Sequence, residues 1–317
     1  FNLGDVHYVV LDNIEYINDG AAPGQKGKGN YEGNIVKEQM EWLKKDLATI
    51  NDKSKPLVIA LHIPFYDFPT LNDKSEQEQT VLLDNGDEML ALLNDFEKVH
   101  ILSGHTHLNF VVDDIERGIM EHNIAAVCAT WWWTGKKNFA QNHICRDGSP
   151  GGYAVWEIDG SEMEWHYKGA GVEKEYQFRA YDLNTIHFTA EEYAPKADIK
   201  EFEKYVGEYG IPNNNNEVLI NVWGYDTQWR VEVEEDGNPL EVTRVEAKDP
   251  LHMISYTTFR VNAGAKPTPS FVSKDNNHMF KVVASSPTST LHIKVTDRFG
   301  NVYTEEMERP KALTYSM

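Results

Sequence analysis

The sequence Val99-His100-Ile101-Leu102-Ser103-Gly104-His105-Thr106-His107 carries the strongest indication of fold and chemistry in the chain. Its apolar pair Ile101-Leu102 predicts the end of a buried strand, and Ser103-Gly104 breaks that strand. His105 and His107 follow on the loop that leaves it. Neutral imidazole is the commonest side-chain ligand of catalytic transition metals, so both residues are candidate metal ligands. On spacing alone, two exposed loop histidines without a metal are an equal alternative.

A second histidine follows a second predicted strand. The run Pro56-Leu57-Val58-Ile59-Ala60-Leu61 is apolar and partly β-branched, which is typical of a buried strand. His62 comes next, and Pro64 prevents the strand from continuing in a hydrogen-bonded ladder. Open α/β sheets place their sites at the carboxyl ends of neighbouring strands, so these two strand ends form a candidate site.

These residues carry a resemblance to a known family. Leu61-His62-Ile63-Pro64 followed by Ser103-Gly104-His105-Thr106-His107 resembles the last two metal-binding motifs of the calcineurin-like metallophosphoesterases. Gly4–Asp12 is similar to the strand that precedes these motifs, and Glu38–Leu43 is similar to the helix that follows it. The likeness covers about the first half of the chain, and the second half resembles the β-sandwich appended to some bacterial members.

The resemblance implies an α/β (α+β) fold, in which part of a metallophosphoesterase αββα sandwich is followed by a C-terminal all-β sandwich. We expect the C-terminal portion of the phosphoesterase domain at residues 1–182. A linker region and the β-sandwich domain are expected at residues 183–317.

The earlier motifs of the family are not found in the expected order. These are an Asp-x-His, a Gly-Asp-x-x-Asp and a Gly-Asn-His. Asp5-Val6-His7 resembles the first, but its surroundings match the later strand, so we interpret Asp5 and His7 as strand residues. Because the chain begins with Phe1, we expect it to start inside the catalytic domain, with an N-terminal segment missing.

The resemblance also implies a metal chemistry. In the family, two divalent ions such as Mn, Fe or Zn share a bridging hydroxide, which attacks the phosphorus in line. His62 and His105 would bind one ion, and His107 would bind the other. No catalytic residue can be assigned, because the motifs that hold it are absent from the chain. We therefore expect an incomplete metal site here.

Two functions follow from these expectations. The first is metal-dependent hydrolysis of a phosphate ester, with weak metal binding and little or no hydrolysis by this chain alone. The second is a non-catalytic binding or scaffold module, whose β-sandwich recognises a ligand. Fold alone does not identify a substrate.

Three residues are candidates for contact with the substrate: Tyr66, Trp132 and Arg146. Tyr66 lies just beyond a candidate ligand, where it either lines a pocket or holds the loop in a small apolar cluster. Trp132, within Trp131-Trp132-Trp133, can stack on a base or sugar, contact lipid, or bridge two domains. Arg146 can bind a phosphate oxygen, although arginine is also common on surfaces.

Composition limits the possible partners. With Asp+Glu 50 against Lys+Arg 30, the net charge of −20 argues against nucleic-acid binding, which needs a basic surface. We expect a phosphate-ester small molecule or a lipid instead. No run approaches the roughly 18 apolar residues of a membrane span. A periplasmic or extracellular, exported protein is expected, although no signal peptide is visible and a chain that starts within a domain would not show one.

Local patterns predict the remaining elements. Residues 18–33 are predicted to form a surface loop, and helices are predicted from an N-cap at Asn34 to Ile50, over Asp84–Lys98 and over Ile199–Val206. Asp159-Gly160 predicts a hairpin turn. Alternation predicts six C-terminal strands, namely Glu217–Val222, Trp229–Glu234, Leu240–Val245, Phe280–Ala284, Leu291–Thr296 and Val302–Glu306.

Some histidines and both cysteines have simpler interpretations. His252, His278 and His292 lack the spacing of metal ligands, so we treat them as structural. Cys128 and Cys145 form a disulfide if the protein is exported, or else two packed free thiols.

Overall fold

The computed structural model describes residues 1–17, 30–134 and 143–314. Most of the loop predicted at 18–33 lies outside these residues, but its end forms the short strand Tyr31–Gly33. The described chain is mixed α/β and rich in strands. None of its helices combines the length and apolarity that a membrane crossing requires.

The N-terminal region is built on a six-stranded sheet with the order β1-β2-β5-β8-β10-β9. Its elements, with the small hairpins and helices between them, are β1 Asn2–Leu3, β2 Val6–Val10, β3 Ile14–Tyr16, β4 Tyr31–Gly33, α1 Lys37–Leu47, β5 Leu57–Ala60, β6 Thr70–Leu71, β7 Gln77–Glu78, α2 Gly86–Leu93, β8 Val99–Ser103, β9 Phe110–Asp114 and β10 Ile119–Asn123. Strands β2, β5, β8 and β10 run parallel, and the outer strands β1 and β9 pair antiparallel. Both predicted histidine strands, β5 and β8, are therefore neighbours at the centre of this sheet.

The two helices of this region differ in detail from the prediction. Helix α1 buries Met40, Leu43 and Leu47, as its apolar spacing predicts, but its N-cap is Val36 rather than Asn34. The Asn34 amide donates to Glu15 instead, so the polar group is used across the β3–β4 hairpin. Helix α2 ends before the predicted Lys98, because the chain beyond it turns to enter β8.

A long hairpin connects the two regions. It consists of β11 Gly152–Asp159 and β12 Glu162–Gly169, which pair in register from Gly152 with Gly169 to Asp159 with Glu162. The turn contains Gly160 at φ 61°, a conformation that favours glycine, so the hairpin predicted at this turn is confirmed.

The C-terminal region contains two four-stranded antiparallel sheets, with the orders β13-β14-β18-β17 and β16-β15-β19-β20. The elements are β13 Phe178–Asp182, a 3₁₀ turn Leu183–Thr185, α3 Ala190–Tyr193, α4 Ile199–Val206, a 3₁₀ turn Gly207–Gly210, β14 Glu217–Val222, β15 Arg230–Glu235, β16 Asn238–Pro239, β17 Thr243–Ala247, α5 Pro250–His252, a π-helix Met253–Thr258, α6 Phe259–Asn262, a 3₁₀ turn Pro269–Phe271, β18 Asn276–Val283, β19 Leu291–Thr296 and β20 Val302–Met307. One hydrophobic cluster joins the two sheets, with Ile220 and Val222 from the first and Ile293 and Val295 from the second.

The second region departs from the sequence pattern at several elements, among them β17, which begins at Thr243 instead of Leu240. Strand β13 ends at the predicted boundary of 182, yet it pairs with β14 of the second region. The continuous helical segment Pro250–Asn262 was not predicted at all. Strand β18 begins at Asn276 instead of Phe280, because the first residues of the strand bury polar side chains that the apolar pattern does not mark.

A buried carboxylate connects β10 to the loop that carries His62. Glu121 is fully buried, and its two oxygens accept hydrogen bonds from the backbone N–H groups of Phe65, at 2.8 Å, and Tyr66, at 2.7 Å. Burial raises the pKa of Glu121 to about 7, although these hydrogen bonds favour the charged form. The carboxyl group therefore titrates near neutral pH in the folded protein.

We expect Glu121→Gln to remove a pH dependence of stability. Because the folded pKa lies above the unfolded value, the contribution of Glu121 is fully present at low pH and is lost as the pH rises through about 7. Between about pH 5 and about pH 8, the unfolding free energy of the wild type should fall relative to the variant by on the order of 2 kcal/mol. Urea unfolding at both pH values measures this difference. Parallel pH profiles for the two proteins would contradict the assignment.

Candidate functional site

The carboxyl edge of the N-terminal sheet brings the candidate residues together. Because β2, β5 and β8 are parallel neighbours, the residues that follow them share one edge of the sheet. Asn13 follows β2, His62 follows β5, and His105 and His107 follow β8. The ladder continues past the strands, since the Gly104 N–H donates to the His62 carbonyl at 3.1 Å.

His62 and His105 are in direct contact. The His62 Nε2 lies 3.0 Å from the His105 Nδ1, so one nitrogen donates a proton and the other accepts it. Two nitrogens bound to one metal ion at about 2.0–2.1 Å are separated by roughly 2.9–3.4 Å. The spacing of the pair thus fits two ligands of a single ion. Burial, together with the nearby imidazoles of His62 and His107, lowers the pKa of His105, which favours the neutral form that binds metals.

His107 is oriented by a different set of contacts. Its Nδ1 donates to the Ala129 carbonyl at 2.6 Å, so the lone pair of the neutral ring is on Nε2. A backbone carbonyl on one ring nitrogen is the usual way in which proteins fix a metal-binding histidine. The ring also stacks on Trp131 with the centroids 3.8 Å apart, and the Cys128 Sγ lies 3.7 Å from Nδ1.

Backbone strain is concentrated in the loops around these histidines. His105 has φ 67° and His107 has φ 56°, while Trp131 and Trp132, on the facing loop, have φ 48° and 66°. Left-handed conformations are costly for residues other than glycine, and such residues cluster at functional sites. The strain therefore independently supports a functional role for these loops.

The donor set is incomplete for two metal ions. Within residues 1–17, 30–134 and 143–314, no group of three or more His, Cys, Asp or Glu side chains is arranged to hold a metal. His62 and His105 are spaced as two ligands of one ion. His107 has the tautomer of a ligand, but its hydrogen bond is to the Ala129 carbonyl and not to either of these two histidines. The described residues therefore fit part of the centre that the resemblance implies.

Two residues that contact the histidine loops were missed by the sequence analysis. The buried Asn13 accepts hydrogen bonds from the N–H groups of His62, at 3.1 Å, and Ile63, at 3.0 Å, and its amide donates to the Ile63 carbonyl at 2.7 Å. Its position shortly beyond the carboxyl end of β2 is the signal that could have identified it. The Tyr31 hydroxyl lies 3.3 Å from the His105 Nε2, and no sequence signal pointed to it.

The three residues predicted to contact substrate occupy different environments. Tyr66 is 2% exposed and its hydroxyl donates to Asp114 at 2.8 Å, so it belongs to the core, and its prediction as a substrate contact is corrected. The Arg146 Nε donates to the Val272 carbonyl at 3.1 Å, which ties the loop to the C-terminal region. Trp132 is 60% exposed and follows the tryptophan that stacks on His107.

The residues with open interpretations are also placed by the structure. Cys128 and Cys145 are free thiols, and burial raises the pKa of Cys145 well above its usual value. Asp5 pairs with Lys55 at 2.6 Å, and the His7 Nε2 lies 2.8 Å from Asp46. These partners occupy Asp5 and His7 at the amino end of β2, away from the histidine loops.

Comparison with known proteins supports the resemblance of the second half of the chain. A family model described as the C terminal of calcineurin-like phosphoesterase matches residues 121–303. The match covers more than half of the chain and begins after His107. No curated protein matches the sequence.

We expect Asn13→Ala to weaken both the loop and the histidine pair. The loss of three buried hydrogen bonds should reduce the unfolding free energy by about 1–3 kcal/mol, measured by urea unfolding. Removing a residue that orients metal ligands should lower Co²⁺ affinity by about 10–100-fold, measured from the cobalt absorption spectrum.

Asn72→Ala is the matched control for this variant. The Asn72 side chain accepts N–H bonds from Lys74 and Glu76 within a surface loop, so its loss should leave Co²⁺ binding unchanged. Equal Co²⁺ affinities for Asn13→Ala and the wild type would show that Asn13 does not support the pair.

Proposed function

The chain belongs to the calcineurin-like phosphoesterase family, and on this premise we propose that His62 and His105 bind one divalent metal ion that serves the hydrolysis of a phosphate ester. The observation that carries the proposal is the 3.0 Å contact between His62 Nε2 and His105 Nδ1 at the carboxyl edge of the sheet. The family is one of metal-dependent phosphoesterases, which makes a hydrolase the expected class.

The residues of the chain would have distinct roles in such a site. A bound divalent ion polarises a phosphoryl oxygen and lowers the pKa of a bound water. His62 and His105 would hold that ion from the ends of two neighbouring strands, and Asn13 fixes the backbone at His62. His107 would be able to bind a second ion through Nε2, because its Nδ1 proton is donated to the Ala129 carbonyl.

The incomplete donor set limits the activity that we propose for this chain. Two imidazoles supply fewer ligands than the three protein ligands typical of a catalytic zinc site. The net charge of −20 also repels an anionic phosphate ester wherever no metal offsets it. We therefore propose weak metal binding and slow or absent hydrolysis by the chain alone, with a complete centre requiring donors beyond those that the described residues bring together.

The substrate that we propose is a small phosphate ester or a lipid phosphate. The support is the aromatic surface around the histidines, where Tyr31 contacts His105 and the exposed Trp132 lies on the facing loop. Exposed Trp and Tyr rings combine apolar area with a polar tip, which suits sugars and lipid head groups. We also propose that the two C-terminal sheets, which share one hydrophobic cluster, form the β-sandwich found in bacterial members.

We expect His62→Ala and His105→Ala to remove the same metal. Each variant should reduce Co²⁺ affinity at least tenfold, and the double variant should lose less binding free energy than the sum of the two single losses, because both ligands serve one ion. Calorimetric titration measures the affinity, and hydrolysis of p-nitrophenyl phosphate with Mn²⁺ measures activity. The control is His292→Ala, on the exposed face of β19.

The outcome separates the alternatives clearly. Wild-type Co²⁺ affinity in both single variants would contradict the proposed metal pair. Full phosphatase activity of the wild-type chain after addition of metal alone would contradict the proposed incompleteness of the centre.

A cavity at the opposite edge of the sheet favours non-catalytic ligand binding as a second candidate function. It has a volume of about 540 Å³ and lies between the amino ends of the strands, the β11–β12 hairpin and the C-terminal region. Its lining includes His100, Trp165 and Arg298. A ligand in this cavity should bind equally to the wild type and to His62→Ala, whereas a ligand of the metal site should not, and a crystallographic fragment screen of both proteins distinguishes the two.

A further inference from the structure

Three aromatic rings form a continuous stack between the histidine loop and the C-terminal region. Trp131 lies between His107, at a centroid distance of 3.8 Å, and Phe271, at 4.0 Å. The interplanar angles are 10° and 8°, so the three rings are nearly parallel. Phe271 ends the 3₁₀ turn that precedes β18 and is separated from His107 by more than half of the chain.

The ring stack restricts the tilt of the His107 imidazole, which its hydrogen bond does not restrict. The bond from Nδ1 to the Ala129 carbonyl fixes the tautomer, but the ring can still tilt about this bond. The face of Trp131 restricts that tilt, because it covers one side of the imidazole. Together the two contacts define the direction in which Nε2 points, and one of the two depends on Trp131.

Trp131 itself requires support from both sides. Its backbone has φ 48°, a left-handed conformation that costs roughly 1–2 kcal/mol for an L-residue. Its side chain has His107 on one face and Phe271 on the other. Removal of Phe271 would leave a strained backbone whose side chain packs on one face only.

A second contact anchors the same loop to the same part of the C-terminal region. The Thr130 hydroxyl lies 2.9 Å from the His252 Nε2, and the His252 Nδ1 lies 2.8 Å from the Ser273 hydroxyl. All three residues are buried. The loop 129–131 is thus held by a polar chain that runs through His252 to Ser273 and by a ring stack that ends at Phe271, two residues before Ser273.

We propose that the C-terminal region positions the His107 imidazole as a metal ligand through Trp131, with Phe271 as the positioning residue. The metal part of this inference rests on the proposed function, whereas the orientation of the ring does not. The C-terminal region then contributes to the histidine site itself, in addition to any ligand that its own sheets recognise.

The test compares three variants of the chain by NMR of the histidine side chains. Phe271→Leu keeps most of the apolar volume but removes the ring, and Phe271→Tyr keeps the ring. Phe299→Ala is the control, since Phe299 packs edge to face on Trp165 at 4.8 Å, near the cavity at the opposite sheet edge. Thermal unfolding of each variant reports any general loss of stability.

In the metal-free protein, we expect the His107 ring protons of the wild type to be shifted upfield by Trp131, with Nδ1 protonated. Phe271→Leu should reduce this shift, while Phe271→Tyr and Phe299→Ala should retain it. On titration with Zn²⁺, the His107 Nε2 resonance should respond in the wild type and require about tenfold more Zn²⁺ in Phe271→Leu.

The outcomes distinguish this inference from the proposed function. An unchanged His107 shift and Zn²⁺ response in Phe271→Leu would overturn the positioning role, even if His62 and His105 bind metal. A His107 Nε2 that does not respond to Zn²⁺ in the wild type would overturn its role as a ligand. If His62 and His105 fail to bind Co²⁺, the effect of Phe271→Leu on the orientation of the His107 ring would still stand.

Discussion

The parallel pairing of β5 with β8 is the constraint on which the histidine site depends. The register pairs Leu57 with Val99 and Ala60 with Leu102, and the ladder extends to the bond between Gly104 and the His62 carbonyl. A shift of one residue would turn every side chain of a strand to the other face of the sheet. Both strands lie at the centre of the sheet, and the contact between His62 and His105 is a consequence of this register.

Polar groups from the two flanking strands then hold the loop that carries His62. Asn13, after β2, binds the backbone at His62 and Ile63, while Glu121, in β10, binds it two residues further along. Both side chains are fully buried, so each would destabilise the fold if it lacked these partners. The same hydrogen bonds therefore give both buried groups their partners and hold the loop in one conformation.

The sequence predicted the strands and the closeness of His62 and His105 better than it predicted the residues that hold the histidine loops in place. Strands β14 and β19 have the predicted bounds. The first four residues of β19 alternate between buried and exposed, as the sequence pattern predicts, whereas β14 is buried at every residue after Glu217. Tyr66 was a candidate for substrate contact because it lies shortly after the candidate ligand His62, with a loop-holding apolar cluster as the alternative. Its hydroxyl donates to Asp114 in the core, on a strand distant in sequence, so Tyr66 holds the loop. Asn13 and Phe271 were both missed, because their roles arise from contacts across the fold; only Asn13, which lies beyond the end of β2, had a local signal.

The family match and the histidine site lie in different parts of the chain, and the fold joins them. The match begins at residue 121, after the histidine motifs, yet its region supplies Glu121, Trp131 and Phe271, which contact the histidine loops or support them. A calcineurin-like C-terminal region therefore acts as part of the environment of the site.

Anomalous diffraction from crystals soaked in Zn²⁺ would show whether His62 and His105 bind a single ion. We expect one anomalous peak within bonding distance of both the His62 Nε2 and the His105 Nδ1, which lie 3.0 Å apart in the metal-free chain. A well-diffracting soaked crystal with no peak between these two nitrogens, or with zinc bound only at other residues, would contradict it.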